Sequence, residues 1–258
     1  MKQLLGKCLP FLFLILLVAV LTASAPSFAK PGNVSNILRF SSVIVILGVG
    51  MTFVIISAGI DLSIGSVLAF CSIIAAWCMQ AGLPMGLSLV VGILTGTVWG
   101  VLNGLMIVGL RLPPFVATLA SMGLARGAAT ILSKKISGYG TSIEITAKGF
   151  DFLGSGTIVT VPLPGSPDGF PLTTPIFVML VVVLLGHYML NHMRLGRYSF
   201  AIGSNEEAAR YSGIKTDVVI ISAYVICQVL TVIASIYFAM YTRSIAPSAH
   251  GNFYELYA

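Results

Sequence analysis

The chain has 258 residues, of which 57% are hydrophobic and only 9% are charged. Soluble domains are roughly 45–50% apolar, so the composition predicts an integral membrane protein. The net charge is +6, but the 14 basic residues are scattered among short connections without interleaved aromatic residues, which argues against nucleic-acid binding. No His, Cys or carboxylate cluster has catalytic or metal-site spacing, so we expect no metal ion, no cofactor and no enzyme activity in this chain.

Several apolar runs approach the length of about 20 residues that a helix needs to cross a bilayer. The candidate spans are Leu9–Phe28, Val43–Ile60, Leu62–Met79, Pro84–Leu110, Leu112–Leu132, Thr173–Leu190 and Val218–Met240. No part of the chain resembles a soluble domain. We therefore predict an all-α fold, a polytopic helical bundle of about seven spans that forms one membrane domain over residues 1–258.

The first run has two interpretations. Lys2 and Lys7, the apolar stretch Leu9–Ala23 and the small residues near Ala29 are typical of a cleavable signal peptide. However, the run is long enough to span the membrane, and the next run begins soon after it, at Val43. We favour an uncleaved first helix.

Two apolar runs, Val43–Ile60 and Leu62–Met79, are separated by the single acid Asp61. A continuous helix over both would be about 55 Å long, and the hydrocarbon layer is only about 30 Å thick. The chain must therefore break at Gly59–Ser66, either in a tight turn between two crossings or in a broken helix within the membrane. The glycines there should relax the backbone, and Asp61 followed by Ser63 can cap a new helix.

Ionisable residues within apolar runs are candidates for function, because burying them is costly. Asp61 could serve a polar path or could cap a helix at the membrane surface, and the sequence leaves both open. Arg126 is predicted near one end of its span, where it could line a polar path or extend to the interface. For Arg126 we favour the interface.

One span contains glycines at a strict four-residue interval. They are Gly92, Gly96, Gly100 and Gly104. This spacing places a smooth groove along one helix face and lets a neighbouring helix approach closely. We expect these glycines to serve helix packing.

Residues 194–217, here called the charged segment, are unusually rich in charge for this chain. Ser204 and Glu207 have the spacing of a capping box, and Gly213 is placed for a left-handed helix stop. The spacing predicts a short helix of about Asn205–Ser212, stabilised by an ion pair between Glu206 and Arg210. Such a charged helix between two spans is suited to docking a soluble partner; the alternative is a simple connector.

Several motifs, taken in order, carry a family resemblance. They are GIDLSIGS at 59–66, LNG at 102–104, LPPFVATL at 112–119, ARG at 125–127 and GSNEEAARYSGI at 203–214. In this order they resemble the bacterial ABC transporter permeases of the ribose, xylose and arabinose type, within the branched-chain amino acid and sugar permease superfamily. In that family a segment similar to 251–258 is followed by a glycine-rich stretch and further spans, so we expect this chain to lack the C-terminal spans.

The resemblance implies a multi-pass permease of the bacterial inner membrane that imports a monosaccharide by alternating access. Its implied partners are a cytoplasmic ABC ATPase, a periplasmic solute-binding protein, a second permease copy as homodimer or paired permease, the sugar and membrane lipid, with no nucleic acid. Alternatives are import of another small polar solute (branched-chain amino acid, nucleoside or signalling molecule) by the same machinery, or a secondary transporter or channel.

The resemblance also assigns roles to parts of the chain. Residues 194–217 become a cytoplasmic coupling loop, and the long polar connection 133–172 becomes a periplasmic loop. The candidate ATPase-coupling residues are Ser204, Glu206, Glu207, Ala208, Ala209, Arg210 and Gly213. The candidates for the translocation path or the helix break are Asp61, Ser63, Asn103 and Arg126.

Overall fold

A computed structural model describes residues 2–25, 27–138, 142–144, 150–163 and 166–258. The helices are α1 Lys2–Ser24, α2 Pro31–Ile56, α3 Ile64–Gln80, α4 Met85–Val108, α5 Pro114–Ser137, α6 Phe150–Ser155, α7 Thr174–His192, α8 Arg194–Ser204, α9 Glu206–Tyr211, α10 Thr216–Thr242 and α11 Tyr254–Tyr257. The strands are β1 Ile143–Glu144, β2 Thr157–Leu163, β3 Ser166–Thr173 and β4 Ser244–Ile245.

The predicted fold class is confirmed, and each predicted apolar run contains a helix. Within the described residues, five helices are long and apolar enough to cross a membrane: α2, α4, α5, α7 and α10. The apolar part of α1 and the whole of α3 are shorter. With 17 residues, α3 has a length of about 26 Å, somewhat less than the hydrocarbon layer.

Helix α10 lies at the centre of the bundle and packs against α2, α3 and α4. Its buried Ala234 belongs to the same apolar cluster as Ile46 and Leu47 of α2 and Leu68 and Ile73 of α3. These four large side chains are completely or almost completely buried. The inner helices are thus held together by close packing around α10.

The glycine stripe of α4 faces α10, and all four glycines are buried. A Cβ atom added at Gly100 would lie 2.7 Å from Val225 Cα and 2.8 Å from Tyr224 O. One added at Gly104 would lie 2.8 Å from Ile221 Cα. The backbones of the two helices therefore approach so closely that a side chain has no room at these positions.

Replacing Gly100 with Ala should lower the thermal stability of the detergent-purified protein, because the added methyl group must push two backbones apart. Overpacking of this kind costs about 1–3 kcal/mol. Gly92→Ala is the matched control, since its Cβ would be 3.6 Å from Ala75 Cβ, an ordinary contact distance. Equal melting temperatures for Gly100→Ala and Gly92→Ala would contradict the close approach of α4 and α10.

The polar connection 133–172 contains more structure than its composition indicates. Helix α5 extends to Ser137, and α6 is followed by an antiparallel hairpin in which β2 pairs with β3. The β-branched sequence Thr-Ile-Val-Thr-Val at 157–161 is a strand signal that the surrounding Gly, Ser and Pro residues obscured. Residues 139–141, 145–149 and 164–165 of this connection lie outside the described residues.

The hairpin and the charged segment mark opposite ends of the bundle. At the hairpin end, the Ser35 hydroxyl donates to Pro171 O at 2.7 Å, and β1 pairs with β4 beside the end of α10. At the other end, the residues before α3 and the α4–α5 turn lie beside the charged segment. Helices α2, α3, α4, α5, α7 and α10 each run from one of these ends toward the other, so α2 and α3 run in opposite directions.

Candidate functional site

The break between α2 and α3 comprises residues 57–63. Helix α2 ends in a Schellman motif, in which the Gly59 N–H donates to Val54 O at 2.9 Å and the Ala58 N–H donates to Ile55 O at 3.0 Å. The left-handed residue is Ala58, with φ +58°, and Gly59 is not among the positive-φ residues. The expectation that the glycines relax the backbone here was therefore wrong for Gly59.

The glycines beside the break are required for close approach instead. A Cβ atom added at Gly59 would lie 2.7 Å from the Tyr224 hydroxyl oxygen of α10. One added at Gly65 would collide with the backbone of Gly251 and lie 2.8 Å from Glu255 Oε2. These two positions let α10 and the C-terminal segment 246–258 pack directly on the break.

Asp61 lies at the centre of a buried polar network. Its Oδ1 accepts hydrogen bonds from the Ser63 N–H at 2.8 Å and the Ser63 hydroxyl at 2.6 Å, and its Oδ2 accepts from Gln228 Nε2 at 2.7 Å. Asn103 Nδ2 and Gln228 Nε2 both donate to Ser63 Oγ, at 2.9 and 3.0 Å. The network ties the break to α4 through Asn103 and to α10 through Gln228.

Asp61 lies inside the helical bundle rather than on its surface. All four side chains of the network are fully buried, and Gln228 is twelve residues into α10, about 18 Å from its start. Ser63 is the N-cap residue of α3 but makes no side-chain cap. Instead, the Asp61 side chain accepts a hydrogen bond from the Ser63 N–H, which forms an Asx turn. Sequence reasoning missed Gln228, a lone amide in an apolar run.

Arg126 also differs from its sequence interpretation. It lies twelve residues after Pro114 and eleven before Ser137, in the middle of α5 rather than near one end. Its Nη1 donates to Pro247 O at 2.6 Å and to His250 O at 2.8 Å. The predicted position near a helix end is wrong, because α5 continues beyond the apolar run to Ser137. The guanidinium binds the returning C-terminal segment.

The charged segment forms two helices, α8 and α9, where the sequence predicted one. Helix α8 includes Ser204, whose hydroxyl donates to Phe200 O at 2.9 Å, so the predicted Ser204–Glu207 capping box is absent. Asn205 is the N-cap, with an extended backbone and a side-chain oxygen that accepts the Ala208 N–H at 2.9 Å. The sequence did contain the signal for this cap, because Asn205 is as favourable an N-cap residue as Ser204.

The predicted stop of α9 and its predicted ion pair are both present. Gly213 has φ +83°, and the Ile214 N–H donates to Ala209 O at 3.1 Å, which completes a Schellman motif. Arg210 pairs with Glu206 at 2.9 Å and with Asp217 at the start of α10 at 3.1 Å. Because all three side chains are about half exposed, the pairs orient α9 more than they stabilise it.

A cleft of about 970 Å³ separates the charged segment from the membrane helices. It is lined by residues 57–59 of the break, by the α4–α5 turn and by charged residues that include Arg111, Glu206, Glu207 and Arg210. At its edge, a Cβ added at Gly203 would collide with Ile56 O. The end of α8 therefore lies directly against the end of α2.

Of the sequence-predicted residues, the structure brings Asp61, Ser63 and Asn103 together and places Arg126 in a separate group with the C-terminal segment. Ala208 and Ala209 lie within α9, Ala209 buried and Ala208 exposed. No group of three or more His, Cys, Asp or Glu residues that could hold a metal ion occurs in the described part of the chain.

Comparisons with known proteins agree with this architecture. Residues 33–258 match the profile described as branched-chain amino acid transport system permease component. Ribose import permease proteins of Haemophilus influenzae and Bacillus subtilis are each 35% identical, over 95% and 96% of this chain and 72% of their own length. A D-allose transport system permease protein of Escherichia coli is 31% identical over 96% of this chain and 72% of its own length. No solved structure matches significantly.

Proposed function

Because this chain belongs to the family of branched-chain amino acid transport system permease components, we propose that it is the permease subunit of an ATP-binding cassette importer that moves a monosaccharide across the bacterial inner membrane. It is a multi-pass membrane protein, and ATP hydrolysis takes place on a separate subunit. The relatives named for ribose and D-allose support a sugar as the solute.

The geometry of the charged segment carries this proposal. Helix α9 extends from the end of the bundle with both ends fixed, by the Asn205 cap and the Gly213 stop. Tyr211 at its end is 90% exposed, and exposed aromatic residues are frequent anchors of protein interfaces. A rigid, charged helix with a protruding aromatic side chain is suited to the surface of a soluble ATPase.

Two contacts offer routes by which movement of α9 reaches the buried Asp61 network. Arg210 joins α9 directly to Asp217 at the start of α10. Gly203 brings α8 against Ile56, immediately before the break that contains Asp61. Since the Asp61 network bonds the break to α10, both routes meet at Gln228. We assign Asp61 and Ser63 to the helix break and Asn103 to its support from α4, because these side chains belong to one hydrogen-bond network.

The function is tested by co-purification of the chain with a candidate ABC ATPase and a candidate solute-binding protein. We expect the ATPase to remain bound in detergent, and sugar with its binding protein to stimulate ATP hydrolysis in liposomes. If no ABC ATPase of the source cell binds while the chain inserts normally, the proposal of an ABC permease is wrong.

The two ends of the bundle give a topology prediction. We propose that the charged segment is cytoplasmic and that the hairpin end, within 133–172, is periplasmic, where it faces the solute-binding protein. Single cysteines at positions 206 and 159, both exposed, would be placed in a background without Cys8, Cys71, Cys78 and Cys227. An impermeant thiol reagent added to intact spheroplasts should label position 159 and leave position 206 unmodified. Labelling of position 206 under these conditions would contradict the assignment.

The family description also supports a second solute class, branched-chain amino acids. This alternative keeps the same machinery and partners and changes only the cargo.

We propose a homodimer, since a permease of this kind needs two membrane subunits and this chain presents long unpacked faces on α4 and α5. A chemical cross-link between two copies in native membranes tests this arrangement.

A further inference from the structure

A second cavity, of about 630 Å³, lies between α5, the start of α3 and the C-terminal segment. We call it the Arg126 cavity. Its polar and aromatic lining consists of Ser66, Arg126, Thr130, Asn252, Phe253 and Glu255. The cavity is distinct from the charged cleft and shares no lining residue with it.

Hydrogen-bond donors and acceptors both reach this cavity. Arg126 uses Nη1 for its hydrogen bonds to the described residues, so Nη2 and Nε can donate to a ligand. Glu255 supplies a carboxylate, and within the described residues no ion pair joins it to Arg126. A ligand with adjacent hydroxyl groups can accept from the guanidinium and donate to the carboxylate at the same time.

Phe253 adds an aromatic ring to the cavity. Its backbone has φ +62°, a left-handed conformation that is unfavourable for a bulky residue. Its side chain is 62% exposed although it borders the cavity, so packing within the described residues does not account for the strained backbone. Strained residues are concentrated at binding sites, and an exposed ring beside polar groups is suited to the apolar face of a sugar ring.

Two glycines keep the α5 wall of the cavity open. Gly123 and Gly127 line it with Arg126 and Thr130, at spacings that place all four on one helix face. A Cβ added at either glycine would meet no atom within 4 Å. Glycine destabilises the interior of a helix. At neither position does a neighbouring atom lie close enough to exclude a larger side chain. The wall is therefore smooth without serving contact to any described helix.

We propose that the Arg126 cavity is a monosaccharide-binding subsite on the transport path, in which Arg126 and Glu255 bind ring hydroxyls and Phe253 stacks on the sugar. This inference rests on the proposed import function and names the residues that contact the solute inside the membrane. Charged side chains of membrane helices face either the bundle interior or a water-filled cavity, and Arg126 lines this cavity. Arg126 also holds the C-terminal segment, so it is not the best residue to mutate.

Gly127→Leu provides the test, because Gly127 lines the cavity and a Cβ added there meets no atom within 4 Å, so the side chain projects into the cavity. The variant would be assembled with its ATPase and binding protein in liposomes, and ATP-driven uptake of D-ribose, D-allose and D-fructose would be measured. We expect sugar uptake to fall at least about tenfold, because the leucine side chain would sterically exclude the sugar from the cavity. Gly86→Leu is the matched control, since Gly86 lies in α4 away from the cavity and also has no atom within 4 Å of an added Cβ.

Phe253 provides a second test with its own control. Phe253→Ala should raise the KM for the transported sugar about 2- to 10-fold through loss of the ring contact. Phe253→Tyr keeps both the ring and the backbone strain and should behave as wild type.

The outcomes separate the subsite from the function. Wild-type uptake by Gly127→Leu, with wild-type protein importing the same sugar, would overturn the subsite and leave the import function standing. Loss of the second permease copy from the Gly127→Leu transporter would show that the cavity is a packing face between copies, which would also overturn the subsite. If wild-type protein with a bound, active ATPase imports none of the sugars, both the function and the subsite are wrong.

Discussion

Gly213→Val is expected to uncouple the permease from its ATPase while leaving membrane insertion intact. Gly213 has φ +83°, and an added Cβ would meet no atom within 4 Å, so the effect arises from backbone strain alone. A β-branched residue held in this conformation costs about 1–3 kcal/mol, which the chain avoids by redirecting the connection between α9 and α10. Because each 1.4 kcal/mol changes affinity about tenfold, ATPase retention and uptake should fall by about one to two orders of magnitude.

Gly213→Asn is the matched control, since Asn adopts left-handed conformations far more readily than Val. It should retain most of the ATPase and most of the uptake. If Gly213→Val retains wild-type ATPase binding and uptake, the docking role of residues 204–214 must be abandoned. If Asn and Val fail equally, the requirement is for the absence of any side chain, and the strain explanation is wrong.

Asp61→Leu should have the largest effect on folding. The substitution removes the carboxylate that accepts hydrogen bonds from three buried donors: the Ser63 N–H, the Ser63 hydroxyl and Gln228 Nε2. Each unpaired buried donor costs about 1–3 kcal/mol, so a large share of the stability of the bundle is lost. We expect a strong decrease in the amount of monodisperse protein recovered from membranes.

Asp61→Asn should be tolerated much better. Its Oδ1 can still accept from Ser63, and its new amide group can donate to Gln228 once that side chain turns over. This reversal breaks no hydrogen bond at Gln228 Oε1, which has no partner within the described residues, and gives up only the bond from Gln228 Nε2 to Ser63 Oγ. Normal assembly of Asp61→Asn combined with complete loss of transport would show that the charge itself is required and that the hydrogen-bond network is an insufficient explanation.

The helical elements were predictable because their signals are local. Apolar runs of span length located the membrane helices, and the spacing of Gly92, Gly96, Gly100 and Gly104 identified the α4 face that lies against α10. Gly213 was recognised as a left-handed stop because a glycine after a short charged helix is typical of that motif.

The errors arose where several local signals compete or where a contact is distant in sequence. Ser204 and Asn205 are both good N-caps, and the choice depends on how far α8 continues. Arg126 was misplaced because polar residues after Leu132 hide the last turn of α5. Gln228, which binds Asp61, and Gly251, which packs against Gly65, are more than 150 residues away in sequence from these partners, and no periodicity in the sequence reveals such pairs.

ATP-driven uptake in liposomes, with D-ribose and L-leucine compared in the same preparation, tests the central claim most directly. The assembled transporter would contain this permease, its ATPase and its solute-binding protein. We predict uptake of D-ribose or another monosaccharide that requires ATP, falls by about one to two orders of magnitude with Gly213→Val and shows no competition by L-leucine. ATP-driven uptake of L-leucine with no uptake of any sugar would contradict the assignment of a monosaccharide as the solute.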